Sequence, residues 1–464
     1  AREARSYLER IEEAPVQRQG TEELVDGIDT GMPEAGDGTL APVAELAQLG
    51  AAAATRSAGP RFFHFVIGGV TPAALGADWL TTTLDQNPGM WAASPLTAQL
   101  ASVSTRWLLE MFGLPRSWGG SITTGATMAN FVALLCARRW WAQHHGVDVD
   151  AEGLTGLPRT TVLSGGYIHA STRKSLGMLG LGRDRVRILS RDAAGRLDLS
   201  ALRRELEALG GDQAILIATA GDVNTGDFDP ISDMADLAEE HGAWLHVDGA
   251  FGLFAALSPR TAHLIEGIDG AHSVIADGHK WLNVPYDSGF AFVRDASLLP
   301  GALATGAAYL AAVDDPRPNL SYLAPEMSQR ARALALWATL RAYGRRGHRA
   351  MVERHLDLAQ RLAARVDEAA DLERLADVPL NIVCFRFRPD GVPEEALDDL
   401  NRRIGAALLE DGRVYAGTTT YEGRVAFRPA IVNWRTREED VDLIADVVRE
   451  LGVKLAPEFV TDAG

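Results

Sequence analysis

Ser273-Val-Ile-Ala-Asp277-Gly-His279-Lys280-Trp281 opens as a short apolar run and breaks abruptly into Asp-Gly-His-Lys. An apolar run without polar alternation suits a strand covered on both faces, as in a parallel sheet between helices. In open sheets of that kind ligands collect outside the carboxyl ends of the strands, where Lys280 falls. Lysines are mostly surface residues, and Lys280 can be read that way. Composition argues against it: of 45 basic residues three are lysines, Lys174, Lys280 and Lys454. An amine on a flexible stem forms a Schiff base with a carbonyl group, which a guanidinium cannot do.

Working outward, further apolar runs occupy 161–164, 186–189, 214–219, 243–247 and 289–293. Helical patterns lie between them, including 127–145, where Met128, Phe131, Leu134 and Leu135 share a face, and 230–241. Such alternation predicts an α/β domain with a mostly parallel sheet. A Pro- and Asp-rich stretch, 313–325, precedes a helix expected over 326–343. Beyond it, helices mix with β-like runs at 382–388 and 424–427, followed by a helix at 438–451, which reads as a smaller α+β domain. Residues 1–57 are short and broken by Gly and Pro, so they read as an arm that packs on something else. The expected organisation is an arm over 1–57, a large domain over 58–344 and a small domain over 345–464.

Three more segments stand at ends of these elements. Asp248 closes Trp244-Leu-His-Val-Asp248-Gly-Ala250. A carboxylate there is a helix N-cap or turn residue, or it faces a cationic ring nitrogen, since burial without a cationic partner would be costly. Gly119-Gly-Ser-Ile-Thr-Thr124-Gly-Ala-Thr127 runs into a helix whose start offers N–H groups to an anion, though Thr127 is equally a plain N-cap. His169 follows the end of the 161–164 run, where a structural role and a flat-face contact are both open. An aldehyde for Lys280, a ring nitrogen for Asp248, a phosphate for the 124–127 turn and a flat face for His169 belong together in one molecule, pyridoxal 5′-phosphate.

Composition excludes several other classes. With 464 residues, 47% hydrophobic and 23% charged, the chain is neither disordered nor collagenous. Its net charge of −17 repels phosphate backbones, so nucleic acid is not an expected partner. Two cysteines, Cys136 and Cys384, stand far apart, which argues against a disulfide framework or thiolate metal site and for a reducing cytoplasm. No apolar run reaches about 18 residues and the first residues lack a signal-peptide pattern, so membrane insertion and secretion are not expected.

The chain resembles the group II pyridoxal-phosphate amino-acid decarboxylases, which include the aromatic-L-amino-acid and glutamate decarboxylases. The motifs are Arg61-Phe-Phe-His-Phe, Trp91-Ala-Ala-Ser94-Pro95, Thr124-Gly-Ala-Thr127, His169, His246-Val-Asp248-Gly-Ala250, Asp277-Gly-His279-Lys280-Trp281 and Asn433-Trp-Arg435. The resemblance implies a fold-type-I architecture and a homodimer embraced by the arm. By it, Lys280 would hold the cofactor covalently and Asp248 would pair with the pyridinium nitrogen. His169 would stack on the ring, with Ala250 beneath it. Ala126, Thr127, Asp277 and His279 match positions around the phosphate, with Asp277 ordering the loop or His279, since a carboxylate repels phosphate. Thr219 also carries over, and Asn224 or Thr225 matches more loosely.

The implied reaction is decarboxylation of an L-amino acid to the amine, with Trp91, Phe63, Phe65 and Phe251 hinting at an apolar or aromatic substrate. Family members carry a loop tyrosine that protonates the carbanion. Here that loop is 313–325, and its tyrosine, Tyr322, sits about two residues from the family position. Without an acid over Cα, the carbanion could instead react with oxygen and yield an aldehyde. Transamination on the same scaffold, and a catalytically silent binding protein, are the other readings.

Overall fold

Seven strands, nearly all of their side chains buried, form the larger sheet: β1 (Gly119–Thr123), β2 (Thr161–Ser164), β3 (Arg187–Ile188), β4 (Ala214–Thr219), β5 (Trp244–Asp248), β6 (Ser273–Asp277) and β7 (Gly289–Val293). The computed structural model describes every residue except 1, 19, 29–30, 193–194, 307–309 and 460–464. The strand order is β1-β7-β6-β5-β4-β2-β3. β7 pairs antiparallel with both β1 and β6, and the remaining pairs are parallel. The α/β expectation holds. β1 was not expected as a strand, because Gly119 and Gly120 depress strand propensity. The reason for Gly120 is local: a Cβ there would lie 2.3 Å from the Thr105 methyl.

The chain divides into two compact units, Val70–Arg354 and Ala1–Gly69 with His355–Gly464. In the first, the helix Ala126–His144 buries Ala129, Val132, Ala133 and Cys136 against Val162, Ile217, Trp244 and Ile275 of the sheet. A correction concerns the expected helix at 326–343: helix begins at Ala333, and 326–332 is irregular. The Asn87 carbonyl accepts from Gln329 N–H at 3.1 Å and from Gly89 N–H at 3.0 Å, so this segment is tied to residues 87–89 and its backbone is not free to coil.

In the second unit, β8 (Leu372–Arg374), β9 (Phe385–Phe387), β10 (Thr418–Tyr421) and β11 (Arg424–Phe427) form an antiparallel sheet in the order β10-β11-β9-β8. The helices Glu394–Asp411 and Glu438–Leu455 cover it, with Phe385, Phe387, Leu400, Ile404, Phe427 and Ile444 in the core. Phe63 belongs to this core and is 1% exposed. The amino-terminal stretch packs here too: Ile11 and Val16 are buried, and Val16 N–H donates to Gly412 at 2.8 Å. The helix Leu40–Ala53 buries none of its residues. Among the described residues no helix is long and apolar enough to cross a membrane.

Candidate active site

Alternation along β5 puts Trp244, His246 and Asp248 on one face. Strand register then sets Thr219 of β4 beside Asp248 and Ser273 of β6 beside His246. The helix Ala126–His144 runs over this face and brings Asn130 down to it. The Asp248 carboxylate is buried. Its Oδ2 accepts from Thr172 Oγ1 at 2.7 Å and Asn130 Nδ2 at 3.0 Å, and its Oδ1 from Ala250 N–H at 3.3 Å. Burial alone would raise the Asp248 carboxyl. The charge of His169, the Thr172 bond, His246 and Lys280 outweigh it and hold the carboxyl below the ordinary carboxylate range.

Past β6 the backbone makes one wide helical turn, Gly278–Leu282, and Lys280 stands on it, half-buried. Lys280 Nζ lies 5.5 Å from the centroid of the Phe251 ring. His169 caps the helix Ala170–Met178, with its Nδ1 accepting from Ser171 N–H at 3.2 Å, and it is exposed. Ala250 follows β5 and accepts from Asp277 N–H at 2.9 Å. Thr219 is fixed through its backbone by Asp229, whose Oδ2 accepts Thr219 N–H at 2.8 Å, while Thr219 Oγ1 is buried without a hydrogen-bond partner among the described residues.

Asp277 ties three parts together. Its Oδ2 accepts Ala126 N–H at 2.7 Å, and its Oδ1 lies 2.6 Å from His279 Nδ1. The ring of His279 stacks on Tyr286 with centroids 4.3 Å apart. Thr127, in the same helix start, accepts Ser175 Oγ at its carbonyl at 3.0 Å. Lys280, Asp248, Thr219, Ala250, Asp277, His279, Ala126 and Thr127 thus all sit at carboxyl ends of neighbouring strands or on the helix start beside them.

Tyr322 is placed differently. It closes the short turn Leu320–Tyr322, is 4% exposed, and its hydroxyl donates to the Ala311 carbonyl. The suggested aromatic set also divides: Phe63 lies in the core of the other unit, Phe65 is exposed, and Phe251 is the ring beside Lys280.

Sequence reasoning passed over Asn130, Thr172 and Ser273, and left His246 without a role. A signal existed for two of them. Asn130 interrupts the apolar face Ala129–Val132–Ala133, and His246 stands inside a strand buried on both faces; buried polar groups of that kind need partners.

A family model described as the pyridoxal-dependent decarboxylase conserved domain matches residues 22–388. The L-2,4-diaminobutyrate decarboxylase of Rhizobium meliloti (strain 1021) is 32% identical over 444 residues, covering 94% of this chain and 86% of its own length. The aromatic-L-amino-acid decarboxylase of Bacillus atrophaeus is 27% identical, covering 86% and 82%. Among solved structures, Oryza sativa TDC with PLP and tryptamine superposes with a TM-score of 0.87 at 25% identity, covering 98% of each chain.

Proposed function

Because the chain belongs to the pyridoxal-dependent decarboxylase family, and so is a pyridoxal-phosphate enzyme that releases carbon dioxide from an amino acid, we propose that Lys280, Asp248, His169, Thr219 and the start of the helix Ala126–His144 hold its cofactor. The observation that carries this assignment is Asp248, a buried carboxylate held ionised by its surroundings. That suits a protonated ring nitrogen and little else. Beside it, the buried Thr219 hydroxyl has no hydrogen-bond partner among the described residues and is open to a ligand.

When bound, pyridoxal phosphate supplies an aldehyde for amines and a ring that accepts the electrons left when carbon dioxide departs. The residues divide the remaining work. Lys280 presents its amine, and Asp248 holds a proton at the ring nitrogen. His169 covers a ring face. The first-turn N–H groups that the helix cannot satisfy itself receive the phosphate. Asp277 holds Ala126 and His279 in place, which keeps its carboxylate directed at N–H donors. For Tyr322 to supply a proton over Cα, its hydroxyl would first have to leave Ala311.

We assign an L-amino acid with an apolar or aromatic side chain as substrate, supported by Phe251 beside Lys280. The Rhizobium meliloti relative favours a second reading, 2,4-diaminobutyrate. A homodimer is supported by the helix Leu40–Ala53, where Leu40, Val43 and Leu46 are 84%, 61% and 69% exposed. The two cysteines, both buried and neither in a disulfide, suit a cytoplasmic location.

The test is purified protein with pyridoxal phosphate and a panel of carboxyl-labelled L-amino acids, aromatic, acidic and 2,4-diaminobutyrate included, in air and without oxygen. Carbon dioxide and amine in equal amounts under both conditions is the expected result. Release from 2,4-diaminobutyrate alone would replace the apolar assignment. Aldehyde formed only in air would replace the amine as product.

A further inference from the structure

Behind Asp248 runs a chain of polar side chains, all buried: Trp244, Ser273, His246 and Asn130, with Thr172 joining from the side. Trp244 Nε1–H donates to Ser273 Oγ at 3.0 Å. Ser273 Oγ lies 2.9 Å from His246 Nδ1, and His246 Nε2 lies 2.8 Å from Asn130 Oδ1. Asn130 Nδ2 then donates to Asp248 Oδ2 at 3.0 Å.

The direction of the protons follows from the Asp248 end. An ionised carboxylate repels the amide oxygen and accepts the amide N–H, so Asn130 turns its NH₂ toward Asp248 and its oxygen toward His246 Nε2. The imidazole proton is then on Nε2 and donates to that oxygen. Burial keeps His246 neutral by pushing it down to about 4, although Asp248 opposes that shift, so Nδ1 carries no proton and accepts from the Ser273 hydroxyl. The Trp244 N–H, which can only donate, takes a lone pair of the same hydroxyl oxygen. The carboxylate therefore selects one tautomer and one amide orientation.

We propose that Ser273, His246 and Asn130 form a positioning relay that fixes Asp248, engaging its Oδ2 from behind and presenting Oδ1 to the cofactor's ring nitrogen. Oδ2 takes the two shorter bonds, from Thr172 and Asn130, while Oδ1 takes the longer one from Ala250. The relay is written into strand register: Trp244 and His246 share the Asp248 face of β5, and Ser273 is the register partner of His246 on β6. It rests on the reading that Asp248 faces the ring nitrogen.

The test compares Asn130→Leu, His246→Leu, His246→Gln, Ser273→Ala and Asp248→Asn. Pyridoxal-phosphate affinity is measured by titrating the apoprotein, together with the apoprotein's melting temperature and with kcat and KM. Asn130→Leu and His246→Leu are expected to weaken cofactor binding roughly ten- to a hundredfold, the scale of a lost hydrogen bond to a charge, and to lower kcat with KM unchanged. His246→Gln keeps a donor for Asn130 and should stay close to the parent. Ser273→Ala removes one oxygen far from the cofactor and frees the imidazole to change tautomer. It should weaken binding by about three- to tenfold and, by orphaning the buried Trp244 N–H, lower the melting temperature, and its cofactor affinity decides the matter if the leucine variants do not fold. Parent-like cofactor affinity in Ser273→Ala and in any folded leucine variant, beside a damaged Asp248→Asn, would overturn the relay. Parent-like affinity and turnover in Asp248→Asn would instead overturn the reading of Asp248, and the relay with it.

Discussion

On the proposed assignment Lys280 supplies a nucleophilic amine and Asp248 a fixed negative charge, so their substitution should fail in different ways. Lys280→Ala should abolish carbon dioxide release, and borohydride should no longer fix the cofactor to the chain. Normal turnover in that variant would remove Lys280 from the chemistry. Asp248→Asn should still bind cofactor, more weakly, but lose several orders of magnitude in kcat. A loss of tenfold or less, about 1.4 kcal/mol of transition-state stabilisation, would mean that its carboxylate does not meet the ring nitrogen. The places of both residues at strand ends were legible in the sequence, Asp248 as a charge closing an apolar run and Lys280 as a rare lysine just past another. Thr172 and Ser273 were not, since a single neutral polar residue in a helix or strand has many unremarkable uses. Their roles emerge when helix packing brings Thr172 against Asp248 and strand register sets Ser273 beside His246.

At the scale of elements, the strands at 161–164, 214–219 and 289–293 were readable to the residue, because apolar runs there stop within two residues at Gly165, Gly221 and Arg294. Elements whose sequence serves a neighbour's geometry were harder to read: β1 carries glycine for close packing, and 326–332 is held open by Asn87. The same principle makes Gly289 testable. A Cβ on it would lie 2.4–2.6 Å from three backbone atoms of Gly125, directly before the helix Ala126–His144. Backbone cannot rotate aside, so either β7 or the helix start must shift. Gly289→Ala should cost about 1–3 kcal/mol of stability and also weaken cofactor binding, read by thermal melting and cofactor titration. Parent-like values in both would show that the two elements tolerate separation.

Across the whole molecule, buried histidines dominate the response to acid. His64, His246 and His272 are each pushed down to about 4, chiefly by burial. In the unfolded chain they titrate near 6.5, so between about 4 and 6.5 the unfolded state binds more protons. Stability therefore rises with pH across that window and is lost as pH falls. Asp229 acts the other way, because burial raises it to about 6 and its folded form keeps a proton that the unfolded form releases. Burial also lowers His348 and raises Asp222, so four groups oppose two. The melting temperature should drop steadily from pH 7 to pH 4.5, and His272→Asn, which retains an acceptor for Leu245 N–H, should flatten the slope. An unchanged slope in that variant would remove His272 from the balance.

The antiparallel run of β7 has a consequence for Lys280. Asp277 and Gly289 are register partners, and Gly278 N–H donates to the Ser288 carbonyl at 2.7 Å, so the turn bearing the lysine is pinned where it leaves β6. Its base cannot wander, and the freedom of the amine is that of its own four-carbon stem. The lysine therefore stands at a fixed, high effective concentration beside Asp248, set by covalent geometry. Competition between Lys280 and an incoming amino group is a contest between a tethered amine and a diffusing one. Diluting the enzyme leaves the tethered side of that contest untouched.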